Sequence, residues 1–183
     1  MIFAFNIGFK QILEFQFMIR KNGPVSLLLI TALLIISLSS CDPGKKYRKE
    51  EESTIQSYLN LNPSLVFEKQ ASGLYYLSER AGTGITPVLH DTAYIKYTGK
   101  FIDGTVFDSN VSIPDSLIIP VGEGWLIQGI DEGLTLMKKG GKALLLIPSS
   151  LAYGASGYYI IAGYTPLLFE IELLKVKQGP GAR

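Results

Sequence analysis

"IKYTGKFIDGTVFDSN", Ile95 to Asn110, decides how this chain is read. β-branched and aromatic residues mark both ends, and Gly and Asp turn signals separate them, so the stretch predicts a strand, a turn and a second strand. The two strands place Tyr97, Phe107 and Asp108 within one short stretch. A lone acid among aromatics, in a chain with one His and one Cys, is the first clue to function.

The same strand signals recur outward from this segment. "GLYYLSER" precedes it, the strand of Tyr97 extends back to give "DTAYIKYTGKF", and "DSLIIPV", "KALLLIPSS" and "TPLLFEIELLKVK" follow "TVFDS", all bounded by Gly, Pro and Asp. Between two of these strands, "LIQGIDEGLTLMKKG" spaces Ile127, Ile130, Leu134 and Met137 at intervals of three or four. That is the period of one amphipathic helix, with Gly140 and Gly141 placed to end it. A mostly antiparallel sheet with a single short helix packed across it is an α+β arrangement. No internal repeat or low-complexity tract divides the chain, so one domain is expected from about Ser72 to Lys177.

Composition excludes several chemistries. Hydrophobic residues make up 47% of the 183, enough for a real core. Lys plus Arg at 17 against Asp plus Glu at 16 leave almost no net charge, so no electrostatic grip on nucleic acid is expected. One Cys allows no intramolecular disulfide and no cysteine-rich zinc site, and His90 alone cannot form a His cluster for a catalytic metal. His90, in "PVLHDT", is expected as a solvated loop residue, and no cofactor is expected.

The N-terminal region has the character of an address. Arg20 and Lys21 precede an apolar run from Val25 to Leu38, shorter than the roughly 20 residues of a spanning helix and suited to a secretory signal. Residues 1–40 are therefore expected to be a signal peptide, with Met18 as an alternative start because "MIRKNG" serves well as its basic region. Leu38, Ser39, Ser40 and Cys41 resemble the lipobox of bacterial lipoproteins, which implies a diacylglycerol on the Cys41 thiol and attachment to a membrane. Acyl chains contribute roughly 0.8 kcal/mol per buried methylene, so several of them anchor durably. Residues 41–71 are polar and rich in charge, and are expected to be a solvated tether, with "EEESTIQSYLNL" as a possible short amphipathic helix. Residues 178–183 are expected to be a flexible tail.

Taken together, "YTGKFIDGTVFDS", "GIDEGLTLMKKGGKALLLIPSSLAYGASG" and "PLLFEIELLKV" resemble the FKBP-type peptidyl-prolyl cis-trans isomerases. The resemblance covers roughly Ser72 to Lys177 in ordered blocks of compatible spacing. It implies a half-barrel sheet wrapped around one short helix, with an apolar proline pocket between them. Tyr97, Phe107, Asp108, Tyr153 and Phe169 match the family's pocket positions, as do Leu126 and Ile127. Ile161 matches the isoleucine of the loop that overhangs the pocket, and Ile130 stands where the family usually has the Trp of the pocket floor. Taken singly, Phe107, Phe169, Leu126 and Ile127 would read as core; their joint match with Asp108 and Tyr153 favours a pocket.

Such a pocket needs no nucleophile. Rotation about an X-Pro bond meets a barrier of roughly 18–20 kcal/mol but breaks no covalent bond. The implied roles are Tyr97, Asp108 and Tyr153 in catalysis, with the apolar residues as a dry wall for the prolyl ring. The implied partners are proline-containing, unfolded or exported polypeptides, acted on by a monomer lipid-anchored in the bacterial cell envelope. The departures carry expectations too: Ile130 gives a wider floor, Leu117 replaces a common aromatic, Leu151 replaces the first Tyr of the "YAYG"-like block, and Ala162 and Gly163 loosen the loop after Ile161. They favour, as an alternative, a lipid-anchored chaperone or assembly factor with weak turnover.

Overall fold

The structure, a computed structural model, describes residues 44–180. The expected signal peptide, Met18, the lipidation candidate Cys41 and residues 181–183 lie outside them. In chain order the elements are α1 (Gly44–Leu61), β1 (Glu68–Lys69), β2 (Tyr75–Arg80), β3 (Thr92–Phe101), β4 (Val106–Ser109), β5 (Leu117–Pro120), α2 (Gln128–Leu136), β6 (Lys142–Ile147), a 3₁₀ turn (Ser149–Leu151) and β7 (Leu167–Lys177). The strands form one sheet in the order β1-β2-β6-β7-β3-β4, with β5 also paired to β3. Every pairing is antiparallel. Each strand expected from alternation is present, and the α+β sheet with one short helix across it is the observed fold.

α2 lies on the inner face of the sheet and buries Ile130 and Leu134, with Met137 just past its end, against Ala93, Ile95, Leu145, Ile147, Leu167 and Ile171. Its close approach depends on missing side chains. A methyl group on Gly129 would come within 2.4 Å of Ile147 Cγ2, and one on Gly133 within 2.4 Å of Leu145 Cδ1. The helix stops at Leu136, earlier than the expected glycines, because Met137 turns extended and is drawn into the core. Gly140, at φ +83°, then makes the turn into β6.

The outer face carries the main correction. The solvated tether expected over 41–71 is instead, from Gly44 onward, part of the folded unit. α1 has 18 residues, and its stripe of Ile55, Tyr58 and Leu59 packs on Tyr75, Leu144, Leu146 and Leu168. The physical reason lies in β6: Ala143, Leu145 and Ile147 face α2, while Leu144 and Leu146 face the opposite side and need a cover. Leu65 and Phe67 extend that cover, and β1 joins the sheet before Ser72. α1 ends where Asn62 Nδ2 donates to the Tyr58 carbonyl at 2.8 Å, one residue before Pro63.

The flexible tail expected from residue 178 is also pinned at its start. The Gly179 N–H donates to Asp91 Oδ1 at 3.0 Å, and its Cα lies so close to the His90 carbonyl that a side chain would not fit. Among the described residues no helix is long and apolar enough to cross a membrane.

Candidate functional site

Ile95 and Tyr97 leave β3 on its inner face, toward α2. Beside them β4 contributes Phe107 and Asp108, and β7 contributes Phe169, whose register partner on β3 is Gly99. That glycine is a requirement of the site. A methyl group there would stand 2.8 Å from Phe107 and 2.9 Å from Phe169, so its absence lets both rings lie over the strand. Phe107 and Phe169 meet edge to face at 5.7 Å and 79°, with Tyr97 tilted against Phe169 at 6.2 Å.

These rings wall a cavity of about 480 Å³. Trp125, Leu126 and Ile127, in the approach to α2, form another side, with Ile130 below. The segment after the 3₁₀ turn closes the remaining side with Ala152, Tyr153 and Tyr158, the two tyrosines stacked at 5.2 Å and 14°. The structure thus brings together Tyr97, Phe107, Asp108, Leu126, Ile127, Ile130, Tyr153 and Phe169 around one space. It does not bring Ile161 there. Ile161 is buried in the core, and its N–H and C=O pair with Tyr158 in a tight bridge that turns Tyr158 toward the cavity instead.

The polar groups are few and well defined. The Tyr97 hydroxyl donates to Asp108 Oδ2 at 2.8 Å. Burial first, then the Asp108 hydrogen bond and charge, with Tyr153 last, push the Tyr97 phenol up to about 12. Burial raises Tyr153 as well, followed by Tyr158 and Asp108, so both phenols keep their protons near neutrality. The Tyr153 hydroxyl has no hydrogen-bond partner among the described residues and remains open to a ligand carbonyl. No three His, Cys, Asp or Glu side chains come together as a metal site among the described residues.

Asn110, at the end of the opening segment, belongs to the site although nothing in the sequence marks it as such. Its Oδ1 accepts from the Tyr97 N–H at 2.8 Å and its Nδ2 donates to the Ile95 carbonyl at 3.1 Å. It is buried, and so fixes the backbone from which Tyr97 projects. An Asn just beyond a strand is a turn signal in sequence, which hides this use. Tyr158 is a second such residue. Its signal, a second Tyr five residues after Tyr153, has meaning only once the loop is folded.

The model of the family described as FKBP-type peptidyl-prolyl cis-trans isomerase matches residues 84–174. A FK506-binding protein of Neisseria meningitidis serogroup B is 42% identical over 105 residues, which are 57% of this chain and 96% of that protein. The FkpA isomerase of Escherichia coli K12 is 41% identical over 112 residues, 61% of this chain and 41% of its own length. The crystal structure of Escherichia coli FkpA superposes with a TM-score of 0.66 at 30% identity, covering 87% of this chain and 76% of that one. This chain belongs to the FKBP-type peptidyl-prolyl cis-trans isomerases. It spans less than half the length of the FkpA relatives it matches.

Proposed function

We propose that the chain catalyses cis/trans isomerisation of X-Pro bonds in exported polypeptides, with the cavity beside Tyr97 and Asp108 as its active site. The observation that carries this reading is a cavity walled by aromatic and aliphatic side chains, with the Tyr97 and Tyr153 hydroxyls and Asp108 on its wall. A planar amide separates more charge than a twisted one. Removing water therefore costs the ground state more than the transition state, and the selective gain appears in rate at tenfold per 1.36 kcal/mol. Phe107, Phe169, Leu126, Ile127 and Ile130 supply the dry surface for the prolyl ring. Tyr153 donates to a substrate carbonyl, holding one side of the bond while the other turns. Asp108 orients the Tyr97 hydroxyl and biases the field on the twisting carbonyl without moving a proton.

The cell envelope is the proposed location, reached through the signal segment and held by a lipid on Cys41. The likeness to the lipobox supports the anchor, and the likeness to FkpA supports the isomerase. A chaperone reading has one specific support: the cavity is edged by apolar groups left in solvent, Trp125 at 71% exposure and Tyr158 at 66%, a surface suited to holding unfolded chains.

NMR exchange of a short Leu-Pro peptide separates the two. The isomerase reading expects acceleration by the wild type that falls in Asp108→Ala and Tyr153→Phe. A folded wild type that leaves the exchange rate unchanged overturns it in favour of binding alone.

A further inference from the structure

α1 contributes nothing to the lining of the cavity, yet two of its side chains grip the segment that does. Glu51 is buried in the middle of the helix, where an apolar residue would cost nothing to desolvate. Both its carboxylate oxygens are committed to one residue: Oε1 accepts the Ser149 N–H, and Oε2 accepts the Ser149 hydroxyl at 2.7 Å. One helical turn earlier, on the same face, the Tyr47 ring stacks on Tyr164 at 5.4 Å and 18°. Ser149 and Tyr164 bracket the cavity loop. The Ser149 carbonyl accepts from Gly154 at 2.8 Å, and Tyr164, held at φ +58°, donates to the Gly154 carbonyl at 2.9 Å. Both anchors therefore converge on the residue next to Tyr153.

We propose that α1 is a clamp on this loop, with Glu51 and Tyr47 as positioning residues that hold its two ends and so set Tyr153 and Tyr158 against the cavity. The proposal rests on the isomerase reading of the pocket. A buried carboxylate forms directional bonds at a known desolvation cost, which non-specific packing of a helix on a sheet does not require. A loosened loop presents Tyr153 correctly for only part of the time, and apparent affinity falls by that fraction.

The test uses the full chain in detergent micelles, as wild type, Glu51→Gln, Tyr47→Ala and Tyr47→Phe, with kcat and KM from Leu-Pro peptide exchange and amide hydrogen exchange by NMR. Tyr47 is half exposed, so its variants do not threaten folding. In Glu51→Gln and Tyr47→Ala, KM rises about three- to tenfold while kcat stays within about twofold. The amides of Gly154, Gly157 and Tyr164 exchange faster, those of β3 and β7 stay as slow as before, and Tyr47→Phe restores wild-type values. Unchanged KM, unchanged loop amides, or equal acceleration in β3 and β7 overturns the clamp. Should the wild type itself fail to accelerate prolyl exchange, the isomerase reading is what fails, and the loop amides still decide the clamp.

Discussion

Replacing Ile130 by Trp probes the floor of the cavity directly. Ile130 is only 4% exposed and lies under a space of about 480 Å³, more than a prolyl ring fills. An indole there adds roughly 40–60 Å² of apolar contact to the bound ring, worth about 1–1.5 kcal/mol at ~25 cal/mol/Å². The expected result is a fall in KM and a rise in kcat/KM of about five- to thirteenfold. The floor meets the planar and the twisted amide alike, so kcat itself stays unchanged. Peptide exchange followed by NMR over a range of peptide concentrations separates the two constants, with thermal unfolding run beside it. An unchanged kcat/KM in a variant of unaltered Tm refutes the placement of the prolyl ring over Ile130. A loss of stability above about 3 kcal/mol refutes it differently, by showing that the position is filled core with no room for the ring.

Asp108→Asn removes the charge beside Tyr97 but keeps its shape. The Tyr97 pKa then falls from about 12 part of the way toward 10, since burial, its largest cause, remains; NMR titration of labelled tyrosine reads this. Because the folded pKa is raised, the stability tied to the Tyr97 proton is fully present below pH 10 and is lost as pH climbs toward 12. In Asp108→Asn that loss should span a narrower window, which unfolding at a series of alkaline pH values measures. Gly99→Ala forces a methyl group into Phe107 and Phe169, and is expected to cost about 1–3 kcal/mol in urea unfolding and to lower kcat/KM with it. A neutral result would mean that the two rings are freer than their packing indicates. Ile55→Ala, at a residue only 1% exposed, should cost about 2–5 kcal/mol, seen as a lower urea midpoint with unchanged slope. No shift would show α1 to be loosely docked.

Much of the site was legible because its motifs resemble those of a known family, and the strands that carry them have a clear period. Tyr97, Phe107, Asp108 and Phe169 fall on β3, β4 and β7, where alternation sets the face and pairing sets the neighbour. Ile161 lies in a loop with no period, so no pattern in the sequence sets which way its side chain faces. The Tyr158–Ile161 bridge, with Gly157 at φ +69°, turns one side chain outward and the other into the core. The cover on the outer face leaves a trace in the sequence. "ALLLI" in β6 is apolar at consecutive positions, which a strand with one wet face does not need.

By itself the sequence determined the succession of strands along the chain and the one inner helix, and its resemblance to the FKBP-type isomerases pointed to the aromatic and acidic residues that surround the cavity. The first two follow from local periodicity, and the last from ordered motifs whose meaning comes from the family they resemble. Only the tertiary structure decided that the charged stretch before Leu61 docks as a helix, that Asn110 fixes the backbone of Tyr97, and that Tyr158 rather than Ile161 closes the wall. Those outcomes depend on partners remote in the chain. Glu51 and Ser149 are 98 residues apart, and no local pattern around either one records the buried hydrogen bonds that join them.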